Sequence, residues 1–195
     1  MNIYISYCNR KVKANIFNLP AVKTCKKNVS CAGYCYARKS EKLYPVVLPC
    51  RERNYVESQK DTFVNDVITI LKKRKNKVVR IHESGDFYSV EYIQKWFDIC
   101  NSLPGYIFYT YTKRDDLFTS DILSTKPDNL TLIYSVDCVF SGKIHVEKVI
   151  GFDKVAIVHD TFTTCPAITN KSVKCGIQCT KCIDGKEKCI IFKKH

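Results

Sequence analysis

No apolar run in this 195-residue chain approaches the roughly 20 residues that a membrane-spanning helix needs, so a transmembrane protein is not expected. The opening MNIYISYCNRKVK lacks a long apolar stretch ending at a small-residue cleavage site, so a signal-bearing secreted precursor is not expected either. Acidic residues are scarce: 19 Asp and Glu face 32 Lys and Arg, giving a formal charge of +13. That balance points to polyanions, nucleic acid among them, as charged partners, although it also describes many merely soluble proteins.

Cysteine, in contrast, is abundant. Twelve residues would suit six disulfides in a secreted protein. Without a leader, the expected compartment is a reducing cytoplasm, where clustered thiols serve as metal ligands or catalytic groups. With 45% hydrophobic and 12% aromatic residues, the chain can build one packed domain and little more.

From about residue 12 to 160, short apolar runs are each followed by a polar cluster and then a helical or turn segment. The runs are KANIFNL, VVRI, YIFYTYT, NLTLIYSV and KVAIV. Between them, Phe63, Val64, Val67, Ile68 and Leu71 share one helical face, as do Val90, Ile93, Phe97 and Cys100. Ser89 suits the N-cap of the second helix, and the KKRKNK run at 72–77 suits the C-terminus of the first. Apolar strands alternating with amphipathic helices imply an α/β fold with a mainly parallel sheet, here a small or partial (β/α) barrel over 1–160. A flat doubly wound sheet is the alternative. After about residue 161 the pattern stops, and 161–195 reads as a Cys-rich, metal-binding extension.

Ligands bind beyond the carboxyl ends of parallel strands. Those ends would carry Cys25, Cys31 and Cys35, then His82, Glu83 and Asp86, then Thr112, Lys113 and Arg114, then Ser135 and Asp137, then His159 and Asp160. Polar residues also follow strands simply because strands end in loops.

Cys165, Cys175, Cys179 and Cys182 place four soft ligands within eighteen residues, which suits either tetrahedral zinc or a [4Fe–4S] cluster. Zinc sites usually take two tight C-x2-C pairs, and only 179 and 182 form one, so the spacing favours iron–sulfur. Cys189 is a spare, readable as a small buried residue. Cys25, Cys31 and Cys35 form a C-x5-C-x3-C group with no local fourth cysteine. Three thiolates on a cubane would leave one iron open, unless Cys8 or Cys50 closes it. Cys100 and Cys138 read as core residues. A helix starting near Ala32 would turn one of Tyr34 and Tyr36 toward a cluster and the other into the core.

Cysteines in the loop after the first strand, with Tyr34 just before the last of them and RIHESGDFYS after the next strand, resemble the radical S-adenosylmethionine (SAM) superfamily. That resemblance implies a SAM cofactor on the open iron and a radical reaction, with Glu83, Ser84, Gly85 and Asp86 near the SAM amino group and Ser135 or Asp137 near its ribose. The superfamily's usual spacing is C-x3-C-x2-C, from which C-x5-C-x3-C departs. The ordered set TC, CYA, SGDFYS, YTYTKR, NLTLIYSVD and TCPAIT resembles more closely a bacteriophage family of iron–sulfur proteins labelled gene product 88, over nearly the whole chain. For a phage protein the expected place is the host cytoplasm. The expected partners are an electron donor and, through the basic surface, nucleic acid. The rival readings are a non-catalytic redox iron–sulfur protein and a zinc or iron–sulfur nucleic-acid-binding module.

Overall fold

Each short apolar run becomes a strand with two buried faces. The structure, a computed structural model, describes residues 2–141, 149, 151–184 and 186–194. Strands β1 (Ile5–Ser6), β2 (Asn15–Phe17), β3 (Val78–Ile81), β4 (Ile107–Thr112), β5 (Leu130–Phe140), β6 (Lys154–His159) and β7 (Cys189–Lys193) form one sheet in that order. β1 runs antiparallel to β2, and every later pair is parallel.

Side chains alternate between the two faces of the sheet. Phe17, Val79, Ile81, Phe108, Leu130 and Leu132 point to one face. There they meet Phe63, Val67 and Leu71 of α3 (Phe63–Lys72) and Ile93, Trp96, Phe97 and Cys100 of α4 (Val90–Ser102). Trp96, Phe17, Phe63, Phe97 and Phe108 are fully buried, and each contributes about 1.5–3 kcal/mol by leaving water. Right-handed crossovers between sequentially ordered parallel strands carry such helices to the same side. Ser89 caps α4 as expected, its hydroxyl accepting from Tyr92 N at 3.2 Å. Val90 lies outside the buried face, 37% exposed.

The opposite, inner face carries Ile16, Tyr109, Ile133, Ala156 and Ile190. A closed barrel would fill that space with its own strands. Here it is filled by the segment after β6, whose Cys175, Cys182 and Ile183 pack against it. The expected barrel is corrected to an open sheet: the order runs from β1 to β7 without β7 returning to β1 or β2. Six parallel strands fall short of the eight of a closed (β/α) barrel. The Cys-rich extension joins the architecture through β7, which pairs along β6 from Val155↔Cys189 to His159↔Lys193.

The cysteine loop between β2 and α3 contains a 3-10 turn, Ser30–Tyr34, then α1 (Tyr36–Leu43) and α2 (Val47–Ser58). Two short helices, α5 (Ser120–Ser124) and α6 (Pro166–Thr169), complete the described elements. Among the described residues, no helix is long and apolar enough to cross a membrane. The basic run at 72–77 is partly structural. Arg74 donates to Ile5 O at 2.9 Å and covers the Tyr7 ring, while Lys77 donates to Tyr106 Oη at 2.7 Å.

Candidate functional site

None of the twelve cysteines is in a disulfide. The carboxyl ends of β2 and β3 bring Cys25, Cys31 and Cys35 together, with Asp86 beside Cys25 and Asp137 and Lys113 beside Cys31. The thiols of this trio are close enough for their charges to act on one another. Burial pushes Cys25 up to about 12, and the Asp86 carboxylate adds to the shift. Cys31 is also raised, chiefly by burial, against the pull of Lys113.

The ESGD segment is the bolt that holds this loop. Ser84 Oγ donates to Leu19 O at 3.0 Å, and Thr24 Oγ1 accepts from Asp86 N at 3.2 Å. Gly85 has φ +79°, and a Cβ there would stand 2.6 Å from both Leu19 Cβ and Thr24 Oγ1. Only glycine suits that backbone and that approach. Asp86 is buried, with Oδ1 accepting from Thr112 Oγ1 at 2.7 Å and Oδ2 from Lys113 N at 2.9 Å. Burial raises its carboxyl to about 6 despite those bonds. Glu83 accepts from Asn9 Nδ2 at 2.7 Å. These groups, read as contacts for SAM, thus spend their polar atoms on the protein's own frame.

β5 holds the other side of the loop. Its register against β6 shifts between Ser135 and Val139. Such a bulge re-aims side chains. Within it, Asp137 accepts from Ser30 N at 3.0 Å and from Ser30 Oγ at 2.9 Å, and pairs with Lys113 at 3.3 Å. Burial alone would raise the Asp137 carboxyl, but these partners bring it below its usual value. Ser135 contributes its carbonyl to Lys113 at 3.3 Å. The same bulged stretch leaves Cys138 exposed rather than in the core, while Cys100 is buried as expected.

The other strand-end candidates divide. Thr112, Lys113 and Arg114 join the edge, and Arg114 lines a cleft of about 480 Å³ together with Lys23, Cys25, Lys26, Lys27 and Tyr88. His82 turns inward, with φ +63° and its Nε2 at 2.8 Å from Tyr92 Oη. His159 is buried and pairs with Asp160 at 2.9 Å. Cys50 lies beside Arg51 and Arg53, and Cys8 accepts from Lys13 Nζ at 3.8 Å. Neither Tyr34 nor Tyr36 enters the core. Lys194 sits over the Tyr34 ring at 5.7 Å, and Tyr36, 53% exposed, sends its hydroxyl to Glu83 O.

The second group lies over the inner face. Cys175 bridges to Val12 on one side and Cys179 on the other, through Cys175 N→Lys11 O at 3.0 Å and Gly176 N→Cys179 O at 2.9 Å. Cys165 is buried, and its charge acts on both Cys175 and Cys182. Burial raises Cys182 to about 11, while a hydrogen bond from Tyr111 Oη at 2.8 Å and the nearby Arg80 oppose the shift. Cys189 stands in β7.

Among the described residues, no three His, Cys, Asp or Glu side chains already meet in ligating geometry. The thiols of each group approach one another without converging on a point. Their chemistry, reduced sulfur in close sets of three and four, fits a thiophilic metal or an iron–sulfur core.

Arg80 was not among the residues singled out by sequence. The only signal was a charge in the middle of an otherwise apolar strand, VVRI. Its guanidinium lies over the inner face, 5.4 Å from the Tyr111 ring centroid and 6.0 Å from that of Tyr109.

No solved structure matches this chain. It is similar to the Gene 88 protein of Mycobacterium phage L5, with 30% identity over 160 residues, covering 74% of this chain and 64% of the relative. The chain thus spans less than two thirds of that relative's length. It is also similar to the Gene 88 protein of Mycobacterium phage D29, with 28% identity, covering 83% of this chain and 78% of the relative. The family model described as Gene product 88 matches residues 4–195, a span that holds the whole ordered motif set and all of β7, and the chain belongs to that bacteriophage family.

Proposed function

We propose that this chain is an iron–sulfur protein with two cysteine-held centres. Cys165, Cys175, Cys179 and Cys182 would bind one [4Fe–4S] cluster. Cys25, Cys31 and Cys35 would bind a second, with one iron left open. The observation that carries the reading is the sorting of seven reduced cysteines into two sets, each close enough to interact electrostatically. A three-thiolate centre beside the cleft at Cys25 supports an enzymatic role, with SAM as the candidate occupant of the open position. Occupation of Ser84 and Asp86 by internal hydrogen bonds favours a different set of contacts for that cofactor, or a redox protein that never binds it. The fit to the host's reducing cytoplasm is part of the same proposal.

The test is anaerobic purification with iron, sulfide and zinc counted per chain, then electron paramagnetic resonance of the reduced protein with and without SAM. About eight irons and eight sulfides are expected for two clusters. Stoichiometric zinc without sulfide would replace iron–sulfur by a zinc protein. A cluster spectrum unmoved by SAM would leave the redox role in place of the enzymatic one.

A further inference from the structure

Two cations are carried by the strands toward the inner face, and they differ in how they are satisfied. Lys154 is buried and donates to Glu187 O at 2.7 Å. Arg80, its side chain 17% exposed, makes no side-chain hydrogen bond among the described residues. Its Nε is buried without a partner. The nearest carboxylate, Glu83, stands 3.7 Å from Nη1, too far for a hydrogen bond, and is already engaged by Asn9. A guanidinium offers five donors in a fixed fork, and its buried Nε–H, left unmade, carries a desolvation penalty. The sheet therefore holds Arg80 over two tyrosine rings and beside Glu83 with its buried Nε still unpaired.

What lies before it is sulfur. In register, Arg80 stands between Ile16 and Tyr109, two members of the small cluster, with Val12 and Ala14, against which Cys175 and Cys182 pack. Both thiols are near enough to feel its charge. Tyr111, under the same guanidinium, already donates to Cys182 Sγ. Four thiolates around a doubly charged cubane, or around one zinc ion, leave a net charge of about −2 in either case. Covered by the sheet on one side, that dianion requires a counter-charge and donors to its sulfurs. We propose that Arg80 is the counter-cation of the C-terminal centre, binding the metal–thiolate dianion from below through N–H···S hydrogen bonds beside that of Tyr111.

The inference rests on the metal reading of the preceding section, and the test separates the two. A Cys35→Ala chain, which keeps only the C-terminal site, is reconstituted anaerobically, and its metal is counted first. No bound metal in this site overturns the metal reading, and the counter-cation with it. With metal bound, Arg80→Gln and Arg80→Lys are compared for metal release to a chelator and, for an iron cluster, for midpoint potential. Arg80→Gln is expected to release metal several-fold faster and to shift the potential to a more negative value, because the reduced cluster carries one more negative charge. Arg80→Lys should recover much of both changes. Unchanged release and unchanged potential in Arg80→Gln would leave the metal reading standing and overturn the role of Arg80. Should Arg80→Gln fail to fold by circular dichroism, Arg80→Met, which keeps an apolar stem over Tyr109 and Tyr111, takes its place under the same criteria.

Discussion

Around Cys25, Cys31 and Cys35 the protein supplies its own framework. Ser84, Gly85 and Asp86 fasten the loop from β3, and Asp137 fastens it from the bulge in β5. Around Cys175, Cys179 and Cys182 the hydrogen bonds are mostly local, such as Lys174 N→Gln178 Oε1 at 2.9 Å and Thr180 Oγ1→Asp184 at 2.9 Å. This second group rests on a floor of Tyr109, Tyr111 and Arg80, and it reaches the wider fold through Tyr111 Oη→Cys182 Sγ at 2.8 Å and the backbone bonds of Cys175 to Lys11 and Lys13. The first set of thiols is held by the wider fold, and the second, apart from those bonds, would leave more of its ordering to a bound metal. On the proposed metal reading, the difference would separate a site whose geometry is largely set before the ligand arrives from one whose local folding is completed by the ligand.

The largest expected contrast is in the response to losing a ligand. Cys175→Ala should remove about four irons per chain and open the segment 165–184 to proteases. Cys35→Ala should remove about as many while leaving proteolysis of its own loop nearly unchanged. Limited proteolysis with iron counting reads both, and equal sensitivity in the two variants would erase the distinction.

The second contrast lies within the framed loop. Gly85→Ala places a methyl against Leu19 and Thr24 at a positive φ, and should destabilise the protein by roughly 2–4 kcal/mol. Gly33→Ala, in the 3-10 turn between two of the cysteines, meets nothing within 4 Å and should stay within about 0.5 kcal/mol of the parent. Urea denaturation of the two variants measures the gap.

A third test uses acid. Burial, with Arg80 adding to it, lowers His82 to about 3, so the unfolded chain binds a proton there that the native chain refuses. This contribution is complete above the ordinary histidine value near 6.5 and is lost as pH falls toward 3, at up to about 1.4 kcal/mol per pH unit. Asp86, raised to about 6, works in the opposite direction between about pH 4 and 6. The readout is therefore the difference between wild type and His82→Asn in urea midpoints at pH 7 and pH 5, where the variant should lose less. Equal losses would mean that the histidine is not held neutral.

The smallest effect is expected from Ser30→Ala. It removes one side-chain bond to Asp137 and keeps the backbone one, for about 1 kcal/mol. A loss of cluster from the trio in this variant would show that the framework depends on that hydroxyl more than its single bond implies.

Much of the fold was legible because parallel strands buried on both faces write themselves as continuous apolar runs, and VVRI, NLTLIYSV and KVAIV each became a strand. The helix faces at 63–71 and 90–100 were legible from their period, apart from Val90 at the exposed first turn. Closure of the sheet was not, because it depends on how the segment after β6 fills the inner face, which no local pattern encodes. ESGD was read for its polar atoms as a cofactor contact. The spacing could not reveal that Leu19, Thr24 and Thr112 would consume those atoms. Cys138 was misread because a bulge reverses the alternation on which a core assignment relies. Arg80 was passed over because a single cation in a strand looks like a solvated residue until its neighbours are known.

The return of β7 to the sheet has one more consequence. Because β6 and β7 are paired along their length, the segment between them is a closed loop even when its thiols hold nothing. Part of the entropy of gathering Cys165, Cys175, Cys179 and Cys182 is thereby spent when the sheet forms. Their effective concentration for one another stays high. On the proposed metal reading, a chain without metal should accordingly keep its sheet, lose order only between the two strands, and load without passing through the unfolded state.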